Sequence, residues 1–384
     1  MPGRLIRWGG IAAGALALGA AAWPAANALG LAGGTAAAPP RPANAAANPD
    51  AWTPPPDARR RIRAAPGRLQ GYVALASASR IAQVDAAAHL ITATKIRTDA
   101  ARGVAVTADG RKLYVADTAQ FDVAVVDVPS GTVSKRITVG PFPQAVAIAP
   151  DGRAVYAAVT GGDTGAGGAD AVKVIDTGAD RVTRTIRVGT APHQIAFAPD
   201  GRRAYVTYAG GLAVIDTAAG RVVGRITDPG GAQGVAVTPD GREVLVTNPR
   251  GGRTWLVNAA SEKVVARIAT PDQPWGVAVA PDGRRAYVAR MNAGSVAVVD
   301  LASRRVVGKV RVGRLPAPVA FTPDGREAWV GNLLSGSVSV IDTASRKVTA
   351  TIVGGVGTKP INAGPQAIVF APTPETSAPA SPAP

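Results

Sequence analysis

An Asp-Gly turn recurs through this chain at Asp109, Asp151, Asp200, Asp240, Asp282 and Asp324, in steps of 42, 49, 40, 42 and 42 residues. Its clearest setting runs from Gly276 to Ala317. There Val277 to Ala280 alternates side chains across a pleat, Pro281-Asp282-Gly283 reverses the chain, and Ala286 to Ala289 returns antiparallel. Pro presets its own φ, Asp bonds back to nearby backbone, and Gly accepts the positive φ that ends such a hairpin loop. Ser295 to Asp300 and Arg305 to Val312 add two further strands, and no helix-period segment interrupts the four. A repeat of about 40 to 50 residues carrying four short strands is the signature of a propeller blade.

The third strand of the unit is countable. IAQVD ends at Asp85, VAVVD at Asp127, VKVID at Asp176, LAVID at Asp216, TWLVN at Asn258, VAVVD at Asp300 and VSVID at Asp342, which predicts an all-β, seven-bladed propeller of four-stranded antiparallel blades over residues 69–372. The repeats begin with a second strand, Tyr72 to Ala76, and finish with a first strand, Gln366 to Ala371. The two ends therefore complete one blade, the C-terminal segment supplying its innermost strand. Closure of this kind removes the open edges a sheet must otherwise protect.

The tandem pattern of PDGR, Y-V-x-N, V-x-V-I-D-T and I-x-V-G resembles the YVTN, or YncE-like, β-propeller repeat family over roughly residues 71–371. Leu245-Val246-Thr247-Asn248 is the nearest copy of the naming motif, and Tyr205-Val206-Thr207-Tyr208 and Trp329-Val330-Gly331-Asn332 depart from it by one or two residues. The resemblance implies a seven-bladed propeller, usually outside the cytoplasm, with no single shared activity.

Residues 1–28 read as a secretory signal. Arg4 and Arg7 make a positive start, Gly9 to Trp23 is a short apolar run, and Ala26-Asn27-Ala28 is an A-x-A cleavage site. A secreted, periplasmic or cell-envelope location follows, with no integral membrane domain after cleavage and with retention as an anchor as the other possibility. Residues 29–68 are Ala/Pro-rich with a basic cluster, Arg59-Arg60-Arg61-Ile62-Arg63, and residues 373–384 are a Pro/Ala tail; both are expected to be disordered. The absence of Cys excludes disulfides, thiol catalysis and cysteine metal sites.

The formal charge of +16 sits at repeated positions. Arg and Lys follow the Asp-Gly turns (Arg111, Arg153, Arg202, Arg284, Arg326) and dot the fourth strands (Arg136, Arg184, Arg225, Lys309). This basic rim favours anionic partners, nucleic acid and envelope polymers among them, in a salt-dependent way. The simpler reading is a solubilising surface generated by copying of the repeat.

The opposite face carries the variation. Just before each first strand the aligned positions read Arg102, Gln144, His193, Gln233, Trp275, Ala317 and Gln366; at the ends of the second strands they read Leu75, Asp117, Val159, Tyr208, Asn248, Arg290 and Asn332. Scaffold positions repeat one residue type, whereas these two rings mix polar, charged and aromatic groups as a ligand-binding surface requires. Both are expected to line the channel mouth, with Asn248 and Arg290 contributing little to stability. Asp163 and Asp170, in the Gly-rich insertion Thr160 to Asp170, match no defined calcium loop. His89 is expected to be a surface residue on the other face.

The expected function is an exported, non-enzymatic binding or scaffold protein, monomeric and without cofactor or metal, that presents the channel-mouth face to a protein or an anionic envelope polymer. Nucleic acid is a further partner through the rim, although the aromatic interleaving that base stacking uses is absent. The alternative is a lactonase-like hydrolase or lyase with its site at the mouth. Propellers of that kind use clustered His, Glu or metal-binding carboxylates, and here His193, Asp117, Arg102 and Arg290 are the candidates.

Overall fold

The fold is seen in a computed structural model that describes residues 68–161, 170–227, 230–353 and 364–374. The signal, the basic cluster at Arg59 to Arg63, Asp163 and most of the C-terminal tail lie outside the described residues. The strands make seven four-stranded antiparallel sheets, all of them blades. Blade 1 joins Leu69–Leu75, Arg80–Asp85 and Leu90–Arg97 to Pro365–Pro372, which is its innermost strand. The register runs from Leu69 opposite Pro372 to Leu75 opposite Pro365. Blades 2 to 7 follow in sequence and each begins with its own innermost strand: Ala101–Val106, Pro143–Ile148, Ile195–Phe197, Val235–Val237, Pro274–Val279 and Pro316–Phe321.

Each innermost strand touches its two neighbours, and Pro365–Pro372 touches both Ala101–Val106 and Pro316–Phe321, so the ring is closed. The core is a set of clusters between adjacent blades rather than one central mass. Trp329 of blade 7, for example, packs with Val73, Leu75 and Ile368 of blade 1, and Trp255 of blade 5 with Leu212 and Val214 of blade 4. Alternation explains the pattern, because both faces of a middle strand are covered by neighbouring blades and only outermost strands read as apolar-in, polar-out. Arg221–Thr227 and Arg305–Arg311 show that alternation.

The Asp-Gly turns are held as their chemistry predicts. The aspartate accepts the N–H of the residue two positions on, as in Asp109 Oδ1 with Arg111 and Asp282 Oδ1 with Arg284, at 3.0 and 2.9 Å. The third-strand aspartates brace the outer turns on the same face, Asp300 accepting the Ser303 N–H at 2.8 Å and Asp342 that of Ser345 at 2.7 Å. At each outer turn one residue is left-handed: His89, Gly131, Asp180, Gly220, Glu262, Arg304 and Arg346. That conformation carries its side chain across to the neighbouring blade. Asp180 meets Lys112 at 3.1 Å, Arg304 meets Glu243 at 3.2 Å, and Glu262 pairs with Arg203.

His89 departs from the expectation of a plain surface residue. It is on the turn face, but its Nε2 lies 2.8 Å from Glu327 Oε1 and its ring meets Trp329 edge-on at 6.0 Å. Repetition of the outer turn places it in the seam between blades 7 and 1.

Candidate functional site at the channel mouth

The mouth residues owe their position to a backbone irregularity that the strand pattern hides. In blade 2 Ala101 pairs with Asp117 and Gly103 with Ala116, so Arg102 is an extra residue opposite nothing. Gln144 is the extra residue in blade 3, between Pro143 opposite Val159 and Ala145 opposite Ala158. Gln366 stands likewise between the Leu75–Pro365 and Ala74–Ala367 pairs. In blades 6 and 7 the registers also shift across Trp275-Gly276 and Ala317-Pro318. Bulges bend a strand and re-aim its side chains, and here they sit at the rim of a closed ring.

Blades 4 and 5 reach the same end with threonine. Thr207 accepts the His193 N–H on its carbonyl and the Gln194 N–H on its hydroxyl, at 2.8 and 3.0 Å. Thr247 holds Gln233 and Gly234 in the same fashion, at 2.9 and 2.7 Å. These hydroxyls also reach the next blade, Thr207 to the Gln233 carbonyl at 2.8 Å and Thr247 to the Trp275 carbonyl at 2.5 Å. Thr118 and Thr160 donate similarly to the Pro143 and Pro192 carbonyls, both at 2.8 Å. Beside Trp275, a Cβ on Gly276 would fall 1.9 Å from the Ala317 oxygen, so the innermost strands close up only because that position has no side chain.

The first ring is half-buried and converges. Arg102 Nη1 stands 3.5 Å from Gln144 Oε1, and Gln144 Nε2 donates to the Phe142 carbonyl at 3.2 Å. Burial lowers the proton affinity of the Arg102 guanidinium. His193 is held below its ordinary range by burial first and by the positive charge of Arg102 second, so its imidazole is neutral at pH 7. Gln233, Trp275 and Gln366 occupy the corresponding places of blades 5, 6 and 1, each half-buried, while Ala317 is buried.

The second ring is on the same face but beneath it. Leu75, Asp117, Val159, Tyr208, Asn248, Arg290 and Asn332 are all buried. Asp117 accepts the N–H groups of Asp99 and Ala100 at 2.9 and 3.0 Å, and Arg136 at 3.3 Å. Arg290 donates from Nε to the Pro271 carbonyl at 3.1 Å and from Nη1 to Ser295 at 3.2 Å, and it pairs with Asp272. Asn248 accepts the Gly251 N–H at 2.7 Å, and Asn332 donates to Ser337 and Ser339 at 3.2 and 3.0 Å. Tyr208 packs under Arg225, whose guanidinium carbon is 5.6 Å from the ring centroid. The physical reason for the difference between rings is the connection between blades, which crosses over the end of the second strand and bonds Asp117 and Arg290 directly, while Asn248 and Asn332 bond within their own blades.

Two further features bear on the mouth. Phe121, in the loop after the second strand of blade 2, and Phe142, at the entry to blade 3, are 45% and 44% exposed and stack edge-to-face at 5.6 Å. Both have left-handed backbones, at φ 59° and 46°, a conformation bulky residues rarely adopt. Nearby, Arg136 joins Asp122 at 3.1 Å and Asp117 at 3.3 Å. Burial first, and the Asp117 and Asp99 charges after it, raise the Asp122 carboxyl despite Arg136. In the insertion of blade 3, Asp170 accepts the Gly161 N–H at 3.1 Å and closes the base of the loop. Among the described residues no three His, Asp or Glu side chains are grouped to hold a metal ion, and no helix is long and apolar enough to cross a membrane.

Comparison with known families finds two propeller profiles that match overlapping parts of the ring. The YNCE-like beta-propeller family profile matches residues 163–285, within the seven-bladed ring described above. The chain is a seven-bladed β-propeller that is similar to the YncE-like family over those residues. A second profile, the SMP-30/Gluconolactonase/LRE-like region, matches residues 74–210, a span that includes Arg102, Gln144 and His193. Among solved structures it is similar to a chain of Kuenenia stuttgartiensis hydrazine synthase, with 27% identity and a TM-score of 0.65 over 71% of this chain and 92% of that one. No curated protein matches it.

Proposed function

We propose that this propeller is an exported binding protein that takes an anionic ligand at the channel mouth. The observation that carries the reading is the convergence of Arg102 and His193 from blades 2 and 4, close enough for the charge of one to disfavour protonation of the other. A carboxylate or phosphate group placed between them offsets the Arg102 charge, favours protonation of His193 and accepts hydrogen bonds from both. Gln144, Gln233 and Gln366 supply neutral donors and acceptors around it, and Trp275 an apolar wall. The ligand belongs to a protein's acidic segment or an anionic envelope polymer, with the basic turn-face rim adding long-range attraction.

The test uses the two histidines of the chain as reporters. Titration of the imidazole resonances with and without a short poly-glutamate should raise the His193 proton affinity and leave His89 unmoved, and Arg102→Gln should weaken binding about tenfold or more. Binding that fades with salt yet ignores Arg102→Gln belongs to the rim and removes the mouth from the reading.

The match to the gluconolactonase-like profile over residues 74–210 favours a second reading, hydrolysis of a lactone at the same mouth. His193, neutral at pH 7, is the available base for activating water. Lactone turnover by the purified chain, with and without added divalent cations and abolished by His193→Gln, would establish it in place of simple binding.

A further inference from the structure

On the turn face, away from the mouth, four interblade seams carry a carboxylate, Asp180, Glu262, Glu243 or Glu327, and the seam between blades 6 and 7 puts arginines at both of the positions these acids occupy. In the seam between blades 2 and 3, Tyr114 donates its hydroxyl to Asp180 Oδ1 at 2.7 Å and Lys112 donates to Asp180 Oδ2 at 3.1 Å. The repeat places Tyr287, Arg285 and Arg346 at those three positions in the seam between blades 6 and 7. Lys112 and Arg285 stand opposite Asp127 and Asp300, Tyr114 and Tyr287 opposite Val125 and Val298, and Asp180 and Arg346 are the left-handed residues of the outer turns. The acceptor has become a third donor.

The consequences are visible. The Tyr287 hydroxyl is buried with no hydrogen-bond partner. Arg346 Nη1 reaches the Val307 carbonyl at 3.3 Å, as Arg304 Nη1 reaches Val265 at 3.4 Å. Arg304 then uses Nη2 to bind Glu243 at 3.2 Å, whereas the residue in the Glu243 position of this seam is Arg285. Of the acids on this face, Asp300 turns one oxygen to the N–H and hydroxyl of Ser303 and Asp342 one oxygen to those of Ser345, and neither bonds the Tyr287 hydroxyl. Tyr72 also has an unpartnered buried hydroxyl, but its seam presents Gly131 and no arginine pair, so it lacks the charge.

We propose that Arg285, Arg346 and Tyr287 form a binding site for a tetrahedral oxyanion, phosphate or sulfate, at the seam of blades 6 and 7. An oxyanion offers acceptors in several directions at once, so one group replaces the missing carboxylate toward Tyr287 and takes charge-assisted bonds from two guanidinium forks. This site is separate from the mouth and does not depend on the function proposed there.

The experiment is a titration of the full chain with inorganic phosphate and with sulfate, followed by thermal unfolding and calorimetry at constant ionic strength set with chloride. Arg346→Asp rebuilds the Asp180 arrangement on a backbone that aspartate tolerates. The wild type should gain thermal stability on binding either oxyanion, with acetate a weaker ligand. Arg346→Asp should start from a higher Tm and bind phosphate at least tenfold more weakly, and Tyr287→Phe, which keeps the packing, should weaken it severalfold. An equal phosphate response in wild type and both variants assigns the effect to the general basic rim and overturns the site, as does the lack of any response beyond that of chloride.

Discussion

His89 of blade 1 lies 2.8 Å from Glu327 of blade 7, whose other carboxylate oxygen accepts the Trp329 indole N–H at 2.9 Å. The seam at which the chain's two ends meet is therefore clasped by side chains as well as by the shared blade. Every outer turn offers a left-handed residue at this position, and at this seam it is a histidine that also covers the Trp329 ring.

Glu327→Ala should lower stability by about 1–3 kcal/mol, because it leaves a buried indole donor without an acceptor. Glu327→Gln, which retains one acceptor, should lose less. Urea unfolding with an unchanged slope and a lowered midpoint is the expected result.

Deleting residues 365–384 should abolish cooperative unfolding. The deletion removes the innermost strand of blade 1 and its contacts with blades 2 and 7, and it exposes the edge of Leu69–Leu75. Circular dichroism melts and size-exclusion profiles check this, with broad non-cooperative melting or aggregation expected.

The two rings should respond oppositely to mutation. Arg290→Ala, which removes a buried donor set from Pro271, Ser295 and Asp272, should cost about 1–3 kcal/mol. Asn332→Ala should cost a similar amount. Arg102→Gln and Gln366→Ala, at the half-buried rim, should leave the unfolding midpoint nearly unchanged. This reverses, for Arg290, the expectation drawn from sequence variability alone, and paired denaturation curves measure it.

Stability should fall on acidification in two steps. His193 has a lowered proton affinity in the folded state, first through burial and then through Arg102, so the unfolded chain takes up the proton more readily. Its contribution is complete above about pH 6.5 and declines below that, until pH falls through the folded-state value. The turn aspartates Asp109, Asp240 and Asp324 are also held low, first by the hydroxyls of Thr107, Thr238 and Thr322. Their contribution is present above about pH 4 and is lost as pH falls through the lowered values. Urea midpoints from pH 3 to 8 should show both limbs, and His193→Gln should remove the upper one alone.

Blade number, strand order and ring closure are legible in the chain because they are local and repeated. Each Asp-Gly turn specifies its own hairpin, and the unpaired strands at the two ends leave one way to complete a blade. The face that carries the mouth follows from the same alternation, which places Arg102, Gln144 and His193 in one ring of aligned positions, although alignment gives Asp117, Asn248 and Arg290 as the nearest partners of His193, whereas in the structure the charge that acts on it is that of Arg102. Alignment placed Arg290 and Asn332 on that face with equal justice, yet burial separates them. The interblade connection that covers them is irregular, and irregular chain leaves no periodic signal.

Sequence by itself determined the seven blades, their closure and the polar character of the mouth, because strand alternation and turn chemistry act over a few residues. Tertiary structure alone decided which polar groups stay accessible, which seams carry acid–base pairs, and that the Tyr287 hydroxyl is buried without a partner in the seam of Arg285 and Arg346. The seam pairs join residues 59 to 68 apart, and 238 apart where the ring closes, and they exist only once neighbouring blades have packed.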